Sequence, residues 1–309
     1  MNLEKRRKEV TLEHVLGDTW CMVTGSCRIP LYMPDRQNAV MIDTGLKMTD
    51  REGILALLER EDIRVQSILV SHFHMDHIGN LRPLKEKYGA HTYMSYYASA
   101  MLNNPGMARL ATFETSFMSI PLVGPYVSAT DHLIDPETPE IMVCGQRFEV
   151  ISLPGHAVEN MGFVTPDGVA YLSDTILSQD VLRAVRIPYC SHCATDLEAK
   201  EKARELSYNR YILAHNGVVD SIRELAQENI DNMKQKIAMV LEQCRDYIPL
   251  ERLTSKVVAI TGSNPDDLQK VLGAKRNVQV IVDYLMETGQ LTNRGHNGYI
   301  EYIAAGCNG

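Results

Sequence analysis

Between positions 71 and 77 the chain reads Ser71-His72-Phe73-His74-Met75-Asp76-His77. Four side chains able to ligate a metal fall within six residues, directly after an apolar run, Ile63 to Val70, that reads as a β-strand. In an extended loop His72 and His74 point the same way, because side chains alternate with a period of two. Asp76 and His77 then open the helix that follows. So short a loop can hardly offer all four groups to one ion, and the arrangement suits two. Neutral imidazoles with a carboxylate suit a borderline metal such as zinc, with iron or manganese also accepted.

A two-ion site needs further ligands, ideally one that bridges. The chain offers them at strand ends: His156 after Leu153-Pro154-Gly155, Asp174 after Tyr171-Leu172-Ser173, and His215 after Leu213-Ala214. A lone histidine at a strand end is more often structural, so each is weak by itself. Together they repeat one context, strand then ligand then turn. Asp43 has a similar setting, since Asn38 to Ile42 is an apolar run stopped by Asp43-Thr44-Gly45.

Around these positions the first two-thirds reads as short strands alternating with a few helices. Ile54, Leu55, Leu57 and Leu58 recur at helical spacing behind Thr49-Asp50, an expected N-cap. Leu81, Leu84 and Tyr88 mark a helix ending at Gly89. Strands are expected at 140–143, 147–153, 168–172 and 211–214, and a helix at 196–206. Residues 94–135 interrupt the pattern with Met94, Met101, Met107 and Met118, several aromatics and three prolines. They read as an irregular connection or as a lid with an adaptable apolar wall.

From Ser221 to Tyr247 the spacing predicts one long helix. Beyond Pro249 a short helix capped by Asn264 to Asp267, a second over 276–287, and a hairpin over 289–302 suggest a small winged-helix-like module. We therefore expect a catalytic domain over 1–220 and a C-terminal module over 221–309. Beyond Pro249 six basic and six acidic residues cancel. That is poor for gripping phosphates along a nucleic acid and favours packing or a homodimer.

Composition bounds the rest. The 309 residues suit one large domain, or one plus an appendage, and a net charge of -8 argues against a general nucleic-acid binder. No run approaches the ~20 apolar residues of a membrane helix. The basic start, Met1 to Lys8, lacks the apolar stretch of a secretory signal. Seven scattered cysteines read as reduced thiols, so a cytoplasmic protein is expected. Cys190 and Cys193 form a CxxC, but no second CxxC completes a four-thiolate zinc site.

Taken in order, Asp43, the His72-His74-Asp76-His77 cluster, His156, Asp174 and His215 resemble the five-part motif of the metallo-β-lactamase-fold hydrolases. The resemblance covers roughly residues 11–220. It implies an α/β (α+β) chain folded as a four-layer αβ/βα sandwich with the metals in a cleft at the sheet edges. It implies that His72, His74 and His156 hold one metal, that Asp76, His77 and His215 hold a second, and that Asp174 bridges. Asp76 and Asp174 would then be the residues closest to the chemistry, with Asp43 orienting a ligand from behind. Metallo-β-lactamases proper typically carry cysteine where this chain has Asp174. The bridging Asp is similar to that of the glyoxalase II, lactonase and phosphodiesterase branches, and Ser173-Asp174-Thr175 to the Gly-Asp-Thr of glyoxalase II-like thioesterases. The stretch Ala157 to Gly162 departs from the family's usual residues after the third motif, and no glutathione-binding basic set is evident.

The expected mechanism is attack by hydroxide, formed from a water that two metals acidify to a pKa of roughly 7. No obvious acid for the leaving group stands in the motif; Tyr96, Tyr97, His132 and His192 are candidates. A thiolate, with a conjugate pKa of about 8.5, needs little protonic help, which favours a thioester or a strained lactone and a small acyl substrate. A phosphodiesterase or nuclease of the same fold is the alternative, with Arg183 and Arg186 to face phosphate. A third reading is a non-catalytic metal-containing binding or sensing protein. Asp43-Thr44-Gly45 also matches the aspartic-protease triplet, but the second copy such enzymes need is missing, since Asp174-Thr175-Ile176 lacks the glycine.

Overall fold

A computed structural model describes residues 9–104, 107, 128–264 and 266–307. The first sheet has seven strands in sequence order: β1 (Thr11–Leu16), β2 (Thr19–Val23), β3 (Arg28–Tyr32), β4 (Asn38–Ile42), β5 (Arg64–Leu69), β6 (His91–Ser95) and β7 (His132–Ile134). Pairing is antiparallel from β1 to β4 and parallel from β4 to β7. The parallel half needs crossovers, and α1 (Lys47–Arg60), α2 (Met75–Ile78), α3 (Leu81–Tyr88) and α4 (Tyr96–Asn103) lie in those connections. The second sheet holds β8 (Glu140–Val143), β9 (Gln146–Ser152), β10 (Met161–Val164), β11 (Val169–Tyr171), β12 (Arg210–Ile212) and β13 (Val218–Val219). Its crossover from β11 to the parallel β12 contains α5 (Gln179–Ala184) and α6 (Cys193–Glu205).

Strand alternation builds the layers. On β4, Ala39 and Met41 join Ile54, Leu57 and Leu58 of α1 and Leu81 and Leu84 of α3 in one core. Val40 and Ile42 point the other way, into a core shared with Phe148, Phe163 and Tyr171 of the second sheet. Tyr171 also faces this middle core, whereas its neighbours Ala170 and Leu172 pack outward against Ala199 and Ala203 of α6. The result is helix, sheet, sheet, helix, the four-layer sandwich that the resemblance implies.

The C-terminal part begins with α7 (Arg223–Glu242), followed by β14 (Ile248–Pro249), α8 (Leu250–Thr261), α9 (Leu268–Glu287), β15 (Leu291–His296) and β16 (Tyr299–Ala304). The three strands form a sheet in the order β14-β16-β15. The expected hairpin is present. Asn297 and Gly298 at its tip both have positive φ (48° and 80°), as a tight two-residue turn requires. Val278, Ile281, Val282 and Leu285 of α9 share a core with Met233, Ile237 and Val240 of α7 and with Cys190, Cys193 and Leu197.

Three local expectations are corrected. α1 starts at Lys47, and Asp50 does not cap it as a preceding residue. The fully buried Asp50 carboxylate lies inside the first turn, accepts from Leu46 N at 2.9 Å, and also accepts from Ser26 Oγ. The two short helices expected after residue 264 are one helix, α9, running through Gly273. Glycine costs about 1 kcal/mol in a helix interior, and four buried aliphatic residues outweigh that. The helix α8 was not anticipated. Of the expected lid over 94–135, the start ends β6 and forms α4 and the end forms β7; residues 105–106 and 108–127 lie outside the described residues.

Gly79 shows how tightly the parallel half is drawn together. A Cβ there would sit 2.4 Å from both Gly45 O and Lys47 N and 2.8 Å from Met75 O, all backbone atoms. No rotamer relieves such a clash. Gly79→Ala is therefore expected to lower stability by about 1–3 kcal/mol, read as a drop in the urea midpoint. An unchanged midpoint would contradict this packing.

Candidate metal centre

The strand ends of both sheets meet at one edge of the sandwich, and the seven expected ligands gather there. Two groups of metal-capable side chains form, each with its ligand atoms within 4.8 Å of one another: His72, His74 and His156, and Asp76, His77, Asp174 and His215. His74 arrives as the residue before α2, which places Asp76 and His77 in the first turn. Asp174 sits in a 3-10 turn just after β11. Asp43 and Ser173 both adopt left-handed backbone (φ 61° and 54°), so the chain turns sharply where these strands end.

Asp174 connects the two groups. Its Oδ2 lies 3.3 Å from His156 Nε2 and 3.5 Å from His77 Nε2, and its Oδ1 lies 3.3 Å from His215 Nε2. Asp76 Oδ2 is 3.5 Å from His215 Nε2 and 3.7 Å from His77 Nε2, and its side chain is 34% exposed where that of Asp174 is 8%.

The outer partners set which nitrogen of each ring faces inward. Asp43, 2% exposed, accepts from Ser71 N (2.8 Å), Ser71 Oγ (2.6 Å), Tyr171 Oη (2.8 Å) and His77 Nδ1 (2.8 Å). A proton on His77 Nδ1 leaves the Nε2 lone pair pointing at the cluster. His215 Nδ1 donates to the Ser26 carbonyl at 2.8 Å, with the same effect. His72 Nδ1 lies 3.0 Å from Ser71 Oγ and 3.1 Å from Ser173 Oγ.

The donor set fits metal ions. His72 Nε2 is buried without a hydrogen-bond partner among the described residues, and His77 Nε2 and Asp174 Oδ1, equally buried, have only the wide ring-to-carboxylate contacts given above, a costly state for polar atoms. His74 Nδ1 and His156 Nε2 face each other at 3.0 Å, so two lone pairs would meet there unless a proton or a cation intervenes.

Charge follows the same division. Burial, with support from the neighbouring histidines, holds His72 well below the ordinary imidazole value of 6.5. Burial likewise takes His74 down to about 4 and keeps His156 low. At His77, burial alone would lower the value, but Asp174, Asp76 and Asp43 outweigh it and hold the ring well above 6.5. His215 is treated similarly by burial and then by Asp174, and reaches about 9. Asp174 is pushed up by burial and brought well below the carboxylate range by His77, His156 and His215.

The remaining sequence candidates sit elsewhere. His132 stacks on Tyr93 at 4.3 Å, and His192 caps α6 and lies 3.2 Å from Glu287. Tyr96 is exposed. Tyr97 borders a cavity of about 130 Å³ beside the cluster, with Phe73, Val158 and Tyr189. Arg183 is exposed on α5, and Arg186 lines a different cavity, next to α9. Cys190 and Cys193 are free, buried thiols of the C-terminal core, outside both ligand groups.

Two contributors were not foreseen. Tyr189 lies 5.2 Å, ring to ring, from both His74 and His156. The Arg276 guanidinium carbon is 3.9 Å from the centre of the Tyr189 ring, so α9 reaches the cluster's flank. No spacing rule marks a contact between residues 87 positions apart (276 − 189).

Residues 32–215 match the family model of the metallo-beta-lactamase superfamily. The chain belongs to that superfamily. Among curated relatives, hydroxyacylglutathione hydrolase GloC of Haemophilus influenzae is 22% identical over 199 residues, covering 64% of this chain and 89% of the relative. The hydroxyacylglutathione hydrolase of Chromohalobacter salexigens is 27% identical over 144 residues, 45% of this chain. The match spans only 43% of that relative's length. A metallo-beta-lactamase family protein of Thermus thermophilus superposes with a TM-score of 0.68 over 96% of this chain and 98% of its own, at 17% identity. That likeness concerns the fold, and it extends through the C-terminal part. As in the superfamily at large, the structure presents histidine and aspartate groups suited to metal; no helix among the described residues is long and apolar enough to cross a membrane.

Two measurements check this geometry. Asp43→Ala removes the acceptor behind His77 and is expected to weaken metal affinity about 10–100-fold, read by competition with a chromogenic chelator. The metal-free protein should be most stable near pH 6.5. Below that value the depressed His72, His74 and His156 cost stability, because the unfolded chain binds their protons first. Above it the raised His77 and His215 lose stability as pH climbs through about 9, because the unfolded chain has already released those protons. Urea midpoints of chelator-treated protein that rise steadily through pH 9 would contradict the charge assignment.

Proposed function

We propose that the chain is a hydrolase with two metal ions, cleaving thioesters of small acyl groups. The carrying observation is Asp174, whose one carboxylate oxygen is shared at 3.3 and 3.5 Å between the two groups of histidines. In this reading His72, His74 and His156 hold one ion, Asp76, His77 and His215 the other, and Asp174 bridges. The all-His/Asp set suits zinc, with iron or manganese accepted. Ions bound there would supply Lewis acidity and an acidified water for attack on a carbonyl.

The chain's own residues do the rest. Asp43, the Ser26 carbonyl and the hydroxyls of Ser71 and Ser173 hold the rings in their inward-facing tautomers. Asp76, the more open of the two carboxylates, is placed to take up the proton that the attacking water gives up. Phe73, Tyr97, Val158 and Tyr189 form an apolar wall for the acyl part and keep bulk water away from it. Burial and Glu159 push the Tyr97 hydroxyl above its ordinary value, which makes it a weak proton donor. His132 and His192 are engaged elsewhere. A site so poor in acids fits a leaving group that departs as an anion, and a thiolate does so far more readily than an alkoxide. Both curated relatives are named as hydroxyacylglutathione hydrolases, which supports the same branch. Residues 1–220 would carry the chemistry, with 221–309 as the appended module.

The test is thiol release from a panel of short acyl thioesters by zinc-loaded protein. We expect kcat/KM above about 10⁴ M⁻¹s⁻¹ for the preferred acyl group. Asp174→Ala should lose at least ~10²-fold of it and bind fewer metal ions. Full metal loading with no thiol release from any member would overturn the reading, and retained two-ion binding in the variant would overturn the bridge.

A further inference from the structure

Of the cavities that border α9, two also border segment 184–191, and the reaction proposed above uses one of them. The smaller lies against the metal centre, with Arg276 and Val280 on its α9 side. The larger, about 430 Å³, lies between α9, the end of α8 and the segment after α5. Its size is within the range of small-molecule sites. Segment 184–191 runs past both: Ile187 lines the larger cavity, and Tyr189 to Ser191 line the smaller. Gly273 and Arg276 are three residues apart on one helix, about 4.5 Å of rise, so the two cavities are neighbours.

The chemistry of the larger cavity is one-sided. Arg186 and Lys270 line it, and none of its described lining residues is a carboxylate. Neither cation forms an ion pair among the described residues, in a chain that carries eight excess negative charges. A neutral donor accompanies them. Asn264 accepts from Asp266 N with its carbonyl oxygen, which leaves its amide hydrogens to give, whereas the Ser263 hydroxyl is engaged with Thr261 Oγ1 at 3.2 Å. Gly273 adds a separate observation. Glycine is unfavourable in a helix interior, and close packing does not demand it here, since a Cβ would meet nothing within 4 Å. What a larger side chain would occupy is the cavity itself.

We propose that this cavity binds the phosphate groups of a thiol carrier whose thioester is cut at the metal centre. The inference rests on the thioesterase reading and makes it specific. The acyl end sits against Phe73 and Tyr97, the carrier passes along α9 by Arg276, and its phosphates meet Arg186 and Lys270. The carrier is thus a thiol that bears phosphate, unlike a thiol peptide.

The experiment is calorimetric titration of the zinc-loaded full chain with coenzyme A and with pantetheine, which shares the thiol arm and lacks the nucleotide phosphates. Any grip of the metals on the thiol is common to both, so the difference reads the cavity. We expect coenzyme A to bind at least ~10-fold more tightly at low salt, and the gap to narrow as salt is raised. The double variant Arg186→Ala/Lys270→Ala should close the gap and leave pantetheine binding unchanged. Gly273→Leu, which fills the cavity from a position that tolerates a side chain, should do the same. Equal binding of the two thiols by the native chain, or a gap that survives both variants, would overturn the proposal. So would ADP binding as tightly as coenzyme A, because the site would then read a free nucleotide. Titration needs no turnover. A chain that shows the expected gap but releases no thiol from any thioester would sink the thioesterase reading and leave the phosphate site standing.

Discussion

A carboxylate buried to 2% exposure must be surrounded by donors or give up its charge, and Asp43 is surrounded. Its four partners come from the end of β5, from α2 and from β11, so one side chain ties the first sheet, the histidine loop and the second sheet together. The edge where the two sheets meet is therefore held by an electrostatic knot as well as by the apolar middle layer. The inner ligands inherit that order. His77 is oriented directly by Asp43, His72 through Ser71, and Asp174 follows Ser173, whose hydroxyl donates to Ser71.

A second tie operates from the other side. The Asp50 carboxylate of α1 holds Ser26 Oγ, and the Ser26 carbonyl holds His215 Nδ1. A residue whose sequence setting suggests a helix cap thus belongs to the support of a ligand on the opposite sheet. The chain concentrates buried charge around this site, and Asp43, Asp50 and Asp174 each meet a partner fixed in a different element. Such a site is set before any ion arrives.

The His72-to-His77 run and the strand-end positions of His156, Asp174 and His215 were legible because each depends on short-range signals: period-two strands, turns after them, and a dense histidine loop. The hairpin at Asn297-Gly298 was legible for the same reason. The four-layer sandwich was legible only through the family resemblance that the histidines and aspartates carry. What escaped depends on distance in sequence. Tyr189 and Arg276 meet only because α9 folds back along segment 184–191, and nothing in either neighbourhood announces the pairing. The sequence suggests two helices, a short one after Asn264 to Asp267 and another over 276–287, where the structure has α9 running through Gly273. Locally it is unfavourable, and only the tertiary burial of Val278 to Leu285 reveals that the helix continues.

α6 has two allegiances. Ala199 and Ala203 face the second sheet, while Cys193 and Leu197 belong to the C-terminal core. Its first turn also presses on the residue before His156: Gly155 has φ 132°, and a Cβ there would stand 2.3 Å from Asp196 Cα. The C-terminal segment is therefore a poor candidate for an interchangeable cassette. Exchanging it for that of a relative would leave Cys193 and Leu197 facing a foreign surface, and the misfit would be felt one turn away, at the loop that carries His156. Recombination among such proteins should succeed only when α6 keeps both of its partners, the second sheet and the C-terminal helices.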